Sequence, residues 1–576
     1  MLASTRMLRI LALLPIAFLS ARLPTLAQAA ASDICPRPIP GSRASEPEDL
    51  RSEHGVLKVT LKFLTAEDAQ GHSRYCYIYK DGTQAPTLRV NPGDTLILSL
   101  ENDIAPESFH AVRTPAPMPM QMPPDSCSGG KMTASSTNLH FHGLMIPPVC
   151  HEDDVLHTVV GPSAAPFEYR FQIPADQPPG LYWYHPHLHG FTSAQVLGGA
   201  SGALVVEGIE RLNAQLAGLP ERVLVIRDQD LQDPDAQPAT PDSLPHAVVL
   251  RDAEGDILNT GTDGGKPAKD LSLNFVPVSY PDYKPAVIEM KAGEREFWRV
   301  LNASGITYID LQVLYDGSPQ ALGVASLDGV PIDDNGVGGH GLLWKSHILV
   351  PPAGRVEFIL KGPPLGAHAS LTTRGVDTGP AGENDPSRPL ATILAATDAA
   401  EPRSKLAADP TPLRRQSPAA LRDVAPVRIR KLYFSEKPQN PADPNSPTVF
   451  LITVEGQTPE PFDPSVSAPN ITVREGDVED WIIENRSREL HAFHIHQIHF
   501  MLVDWNGVPV REPFLRDTVN VAYWDGSSPS YPSVKLRMDF RDPKITGTFV
   551  YHCHLLEHED GGMMGTVRVL ARVPNP

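Results

Sequence analysis

The sequence predicts an all-β protein built from three related β-sandwich domains. Three observations carry that expectation. The chain is rich in turn formers, with 60 Pro and 43 Gly, which suits short strands joined by tight connections better than long helices. One pattern then recurs. VNPGDTLILSLEN sets Gly93 nine residues before Asn102, KAGEREFWRVLN sets Gly293 nine before Asn302, and VREGDVEDWIIEN sets Gly476 nine before Asn485. Each reads as a turn, an apolar-rich strand and a second turn residue. Finally, GLYWYHPHL from Gly180 aligns with GTFVYHCHL from Gly547, sharing Gly, Tyr-His, His and Leu. Duplicated units explain this, the first and last having kept the histidines.

Taken in order, residues 1–31 read as a secretory signal peptide. Arg6 and Arg9 precede an apolar run, and small residues follow in LAQAAAS. The run is too short to span a membrane well, there is no twin-Arg pair, and no later stretch would cross a bilayer. Export to a periplasmic or extracellular location is expected. Domain one is expected over 36–208, ending after GALVVEG, and domain two over 220–397. A Pro/Ala/Arg-rich linker at 398–424, with room for a short helix at Pro418–Asp423, leads to domain three at 425–576. A net charge of −19 argues against nucleic acid as a partner, and a monomer is expected.

Cys35, Cys76, Cys127 and Cys150 lie in the first quarter of the chain, whereas Cys553 stands alone near the end. In an oxidising compartment the first four would form two disulfides. Three pairings are open, and Cys35–Cys76 with Cys127–Cys150 is the expected one. Cys553 is left for another role.

Four histidine clusters carry the chemistry. They are HFHG (His140, His142), HPHLH (His185, His187, His189), HAFHIHQIH (His491, His494, His496, His499) and HCHLLEH (His552, His554, His558). Each holds a His-x-His, which on a strand puts two imidazoles on one face. A single such pair is most simply surface or core, but four pairs in two repeated domains point to bound metal. Cys553 would face opposite to His552 and His554, into a different site. A thiolate with two imidazoles and a weak thioether makes a blue-copper centre. His491, Cys553 and His558 are the expected strong ligands, with Met563, rather than Met564, as the weak axial one.

With HFHG, HPHLHG, HAFHIH and HCHLLEHEDGGMM in hand, nearly all of the chain beyond the signal peptide resembles the three-domain multicopper oxidases, the family of laccases, ascorbate oxidase and bacterial cuprous oxidases. The resemblance implies three cupredoxin-like Greek-key sandwiches and four copper ions: one type 1, one type 2 and a type 3 pair. It implies type 1 ligation by His491, Cys553, His558 and Met563, type 2 by His140 and His494, and type 3 by His142, His185, His187, His496, His552 and His554. His189 and His499 match no ligand. It also implies that a reductant gives up single electrons near His558. These pass through Cys553 to His552 and His554, and dioxygen is reduced to two waters. Oxygen reduction consumes protons. Glu559, and Asp153 or Asp154 in HEDDVL, match the family's proton-relay positions; each is otherwise an ordinary solvated acid. An axial Met implies a low-to-middle potential.

The stretch from Gly93 to His140 is longer than that from Gly476 to His494, and it carries Met118, Met120 and Met122. Alternating thioethers could hold Cu(I), or the loop is simply adaptable and apolar. Asn302, Asn470 and Asn485 begin glycosylation sequons, and Trp183 and Tyr184 read as sandwich core. Two oxidase readings compete: a laccase-like oxidase of phenols and aromatic amines, and a metal-ion oxidase acting on Cu(I), Fe(II) or Mn(II). From another class comes a copper-free structural protein on the same fold, which the twelve filled ligand positions disfavour.

Overall fold

The computed structural model describes residues 34–572 except 105–125, 163, 237–249, 252–256, 259–264, 333–340, 410–418 and 444–445. The expected signal peptide and Met118, Met120 and Met122 lie outside the described residues. Among those described, no helix is long and apolar enough to cross a membrane.

The recurring Gly-to-Asn pattern shows how the chain builds its sandwiches. Gly93, Gly293 and Gly476 have φ of +91°, +73° and +99°, a region that favours glycine. Each opens a turn into a strand: Thr95–Asn102, Arg295–Asn302 and Val478–Asn485. Each strand pairs in parallel with an earlier one, respectively Val56–Glu67, Pro220–Gln229 and Arg428–Pro438. The closing Asn is buried every time and does the same work. Its amide donates to two carbonyls, those of Ser135 and Val160, of Thr307 and Val350, and of Glu489 and Val521. Its side-chain oxygen accepts the N–H two residues on. A buried loop would otherwise leave these groups unpaired. Asn302 and Asn485 are thus fully buried parts of turns, while Asn470 is exposed.

The larger sheets among the described residues pack in three pairs. In the first, a five-stranded sheet containing His140–His142 and Gly180–His185 covers a four-stranded one, with Leu61, Phe63, Leu98, Phe141, Tyr184 and Leu204 between them. In the second, a nine-stranded sheet faces a six-stranded one over Trp298, Phe358, Leu311 and Ile393. In the third, a six-stranded sheet faces a five-stranded one containing His491–Ile495 and Gly547–Cys553, over Trp481, Leu536, Phe493 and Tyr551. These are cupredoxin-like sandwiches. The disulfides are Cys35–Cys76 and Cys127–Cys150, with Cα atoms 5.9 and 5.7 Å apart.

The linker is less free than its composition suggests. Ser404–Lys405 pairs with Pro220–Glu221 on the nine-stranded sheet, because Leu406 buries among Ile209, Leu216 and Phe297. A short helix follows at Ala419–Arg422.

Two strand pairs position the histidines. His140 lies opposite His185, and His494 lies opposite His552 with Phe493 opposite Cys553. Only His140–His142 lies wholly within a strand. The other His-x-His pairs run past a strand end at His185, Ile495 and Cys553, so loop geometry, as well as alternation, aims their second imidazoles.

Candidate metal centre

Cys553 closes the strand Gly547–Cys553 and is fully buried. Its Sγ is 3.4 Å from His491 Nδ1 and 3.8 Å from His558 Nδ1, and the two nitrogens are 3.3 Å apart. A trigonal metal with bonds of about 2.0–2.3 Å has donor–donor edges of about 3.5–4 Å. The triangle therefore has the size of a trigonal metal site. His491 begins its strand, and His558 sits on the short helix Leu556–Asp560. Their outer nitrogens are held. His491 Nε2 is 2.7 Å from Ser487 Oγ and 3.1 Å from Glu436 Oε1, while His558 Nε2 is 2.7 Å from Glu489 Oε1. Outer contacts of this kind fix a ligand ring. Burial pushes the Cys553 thiol up, but His491 and His558 bring it down to about 6. The thiolate, the form that binds metal, is thereby favoured.

Met563 and Met564 part company. Met563 is fully buried in the same core as Cys553, whose N–H donates to the Met563 carbonyl. Met564 lies opposite His552 on the next strand and packs with Val155 and Val550.

On the other side of Cys553 stand eight buried imidazoles. Their donor atoms fall into three groups, each within 4.8 Å: His142, His185 and His554; His187, His496 and His552; and His140, His142 and His494. Several rings are held from outside. His140 Nδ1 is 3.0 Å from both Asp153 oxygens, His142 Nε2 is 3.2 Å from Asp517 Oδ1, and His185 Nδ1 is 2.9 Å from the Pro186 carbonyl. His494 Nδ1 is 2.8 Å from the Asp517 carbonyl, and His552 Nδ1 is 3.0 Å from that of Cys553. The opposite nitrogens of His140, His142, His185 and His494 are buried with no hydrogen-bond partner. His187 Nε2 and His496 Nε2 each approach His552 Nε2 to 3.3 Å. Burial, then crowding by like-charged neighbours, holds His140, His496 and His554 well below the usual imidazole range. The same two causes bring His185 to about 3. The neutral form, with a lone pair to give, is thereby favoured in these rings.

Two carboxylates border this cluster. Glu559 is fully buried, with Oε2 3.0 Å from His552 Nδ1 and Oε1 3.6 Å from His187 Nε2. Asp153 accepts the Phe141 N–H and the Gln497 amide besides touching His140. Asp154 does not join the cluster: its carboxylate turns to His157 at 3.0 Å, on a ring that is exposed. Adjacent residues in that turn point opposite ways, and Asp153 is the inner one. His189 packs edge-on against Phe462, and His499 reaches the Asp328 carbonyl, so both stay outside the three groups.

Known proteins bear on this arrangement. Descriptions of multicopper oxidases match residues 131–211 and 441–572, the two segments that bring the histidines. A laccase of Haloferax volcanii is 24% identical over 76% of this chain and 67% of its own length. The multicopper oxidase mco of Staphylococcus aureus is 21% identical over 90% of both chains. A Campylobacter jejuni multicopper oxidase structure, described as a metallo-oxidase, superposes with a TM-score of 0.62 at 23% identity, covering 93% of this chain and 96% of that one.

The chain belongs to the multicopper oxidase family.

It is therefore an oxidoreductase that uses dioxygen and a reducing substrate, and copper is the metal the family implies. The donor set fits: one thiolate with imidazoles in a triangle, and partnerless buried imidazole nitrogens at the cluster. Several residues around the oxidase's centres escaped sequence reasoning. Glu436, Glu489 and Ser487 hold the outer nitrogens at the Cys553 site, Gln497 holds Asp153, and Asp517 holds His142 and His494. Trp183, expected as plain core, stacks on His185 at 4.0 Å and forms a wall of the cluster. The acids, Ser487 and Gln497 had no sequence signal, because each meets its partner across a turn, a neighbouring strand or a second sandwich, whereas Trp183 stands two residues before His185 on one strand, where alternation puts both on the same face.

Proposed function

We propose that this oxidase takes single electrons from small aromatic reductants beside His558 and delivers them to dioxygen at the eight-imidazole cluster, in the manner of a laccase. One observation carries the proposal. In His552-Cys553-His554 the cysteine belongs to the three-donor triangle and both histidines belong to the cluster, so a single covalent segment links the two. Four coppers would be held: type 1 by His491, Cys553, His558 and Met563; type 2 by His140 and His494; and a type 3 pair by the remaining six histidines. Bound there, copper would supply one-electron chemistry at the triangle and four-electron reduction of dioxygen to two waters at the cluster.

Forming two waters takes four protons as well. Glu559 is placed to take them up and pass them on: although burial pushes its carboxyl up, His187 and His552 on either side hold it well below the usual range, and neither of its oxygens has an aligned hydrogen-bond donor. Asp153 orients His140 through both its oxygens and is the second proposed acid.

His558 is the most exposed of the twelve proposed ligands, at 7%. Glu489 holds its Nε2, and Glu383 and Glu557 interact electrostatically with one another and with this corner. A phenolic O–H or an aromatic N–H can donate to Glu489. The same three carboxylates favour a second reading, a metal-ion donor such as Fe(II), for which oxygen ligands are suited; the Campylobacter jejuni protein of this fold is described as a metallo-oxidase. Two disulfides support residence in an oxidising compartment, periplasmic or extracellular.

The test is a side-by-side assay of copper-loaded protein on phenols, Cu(I) and Fe(II), repeated with Glu489→Gln. Phenol turnover should exceed metal-ion turnover and fall less than it on the substitution, because the Gln amide oxygen still accepts a hydrogen bond. Faster turnover of Fe(II) or Cu(I), lost on removing the Glu489 charge, would favour the second reading.

A further inference from the structure

We infer that Arg355, from a sandwich that supplies none of the proposed ligands, sets which nitrogen of His142 faces the copper cluster, acting through Asp517. The inference rests on the ligand reading above.

Arg355 starts the strand Arg355–Lys361 of the nine-stranded sheet and is fully buried. Its guanidinium grips Asp517 with both arms, Nη1 to Oδ1 at 2.8 Å and Nη2 to Oδ2 at 2.6 Å. A bidentate, charge-assisted pair of this kind holds a carboxylate in one plane. Two further Arg355 donors are also used. Nε donates to the Leu181 carbonyl at 3.2 Å, on the strand that ends at His185, and Nη1 donates to the Ala353 carbonyl at 3.0 Å. Asp328 accepts the Arg355 backbone N–H at 3.1 Å. One side chain therefore ties together elements of all three sandwiches.

Asp517 carries that placement to the cluster. Oδ1 accepts from Thr518 Oγ1 at 3.0 Å and lies 3.2 Å from His142 Nε2, while the Asp517 backbone carbonyl lies 2.8 Å from His494 Nδ1. Oδ2 is also 3.7 Å from His499 Nε2. A carboxylate gripped on both oxygens by a guanidinium can only accept. His142 must then carry its hydrogen on Nε2, leaving the lone pair on Nδ1, the buried atom without a partner. His140, His185 and His494 are held the other way, by Nδ1, with Nε2 free. Among these four rings His142 alone is reversed, and it alone is held at Nε2 by Asp517.

The glycine of HFHG fits this account. Gly143 has φ +87°, and a Cβ there would lie 2.7 Å from Arg355 Nη2 and 2.8 Å from Asp517 Oδ2. A side chain would occupy the place where the pair meets the histidine strand.

The test uses the full-length protein as wild type, Arg355→Lys, Arg355→Met and the double variant Arg355→Met/Asp517→Asn. Copper per chain, retention of cluster copper against a graded chelator, the blue absorbance of the Cys553 site and thermal unfolding of the metal-free protein are measured. Loss of an outer-sphere partner weakens metal binding by about 10–100-fold. Both single variants should lose cluster copper by such a factor and keep the blue absorbance. Asparagine can still accept from His142 Nε2 and leaves no lone buried charge, so the double variant should recover affinity relative to Arg355→Met. Should the methionine variant fail to fold, the lysine variant carries the test. Cluster affinity within twofold of wild type in the folded single variants would overturn the inference. So would parallel loss of blue and cluster copper tracking the fall in unfolding temperature, which marks a merely structural role. Wild type holding copper only at Cys553 would overturn the ligand reading and this inference together.

Discussion

Glu559→Gln separates the two halves of the reaction. The amide keeps the shape of the side chain and removes its ionisable proton. Glu559 is fully buried and touches His552 and His187, 3.0 and 3.6 Å away, in one cluster group. At the Cys553 triangle the outer contacts are instead Ser487, Glu436 and Glu489. Taking electrons from substrate should therefore proceed at near the wild-type rate. Reoxidation by dioxygen needs protons, and loss of a positioned acid costs about 10²–10⁴-fold. Because Asp153 remains as a second acid, the lower end, about 10²-fold, is expected. Stopped-flow absorbance of the blue band, with substrate under anaerobic conditions and then with dioxygen, measures each half. The variant should stay bleached during turnover where wild type recovers its colour. Slow reduction with normal reoxidation would place Glu559 at the substrate pocket and refute the relay.

Cys553→Ser should abolish both the blue colour and oxidase turnover, as checked by absorbance and oxygen uptake; a copper-loaded wild type that stays colourless would disprove the type 1 assignment. Met563→Leu should raise the type 1 potential while copper stays bound, whereas Met564→Leu, in the separate cluster with Val155 and Val550, should leave a redox titration nearly unchanged. Asp385 is buried, which raises its carboxyl to about 7 despite Arg388 and the Tyr308 N–H. Its folded value lies above the unfolded one of about 4, so it favours folding fully below pH 4 and loses that contribution as pH rises through 7. The difference is on the order of 4 kcal/mol. Urea unfolding of the metal-free protein should weaken between pH 4 and 7, and Asp385→Asn should flatten that slope; an unchanged slope would exclude Asp385 as its source.

The amino-acid sequence by itself determined what is local. Gly93, Gly293 and Gly476 announce turns because few residues take their φ, and the Asn nine positions later closes each strand with the same buried hydrogen bonds. The histidine clusters were legible because the proposed donors are neighbours in sequence, and the thiolate was legible because Cys553 sits between two of them. Tertiary structure decided what depends on facing. Asp153 and Asp154 are indistinguishable as adjacent acids until the turn buries one and points the other at His157. Met563 and Met564 differ only in which side of the chain reaches the Cys553 core. Glu489 lies 69 positions before His558 and Arg355 lies 162 before Asp517. A hydrogen bond acts over about 3 Å whatever the sequence separation, so the partners that orient these rings exist only once the sheets have paired and the sandwiches have packed.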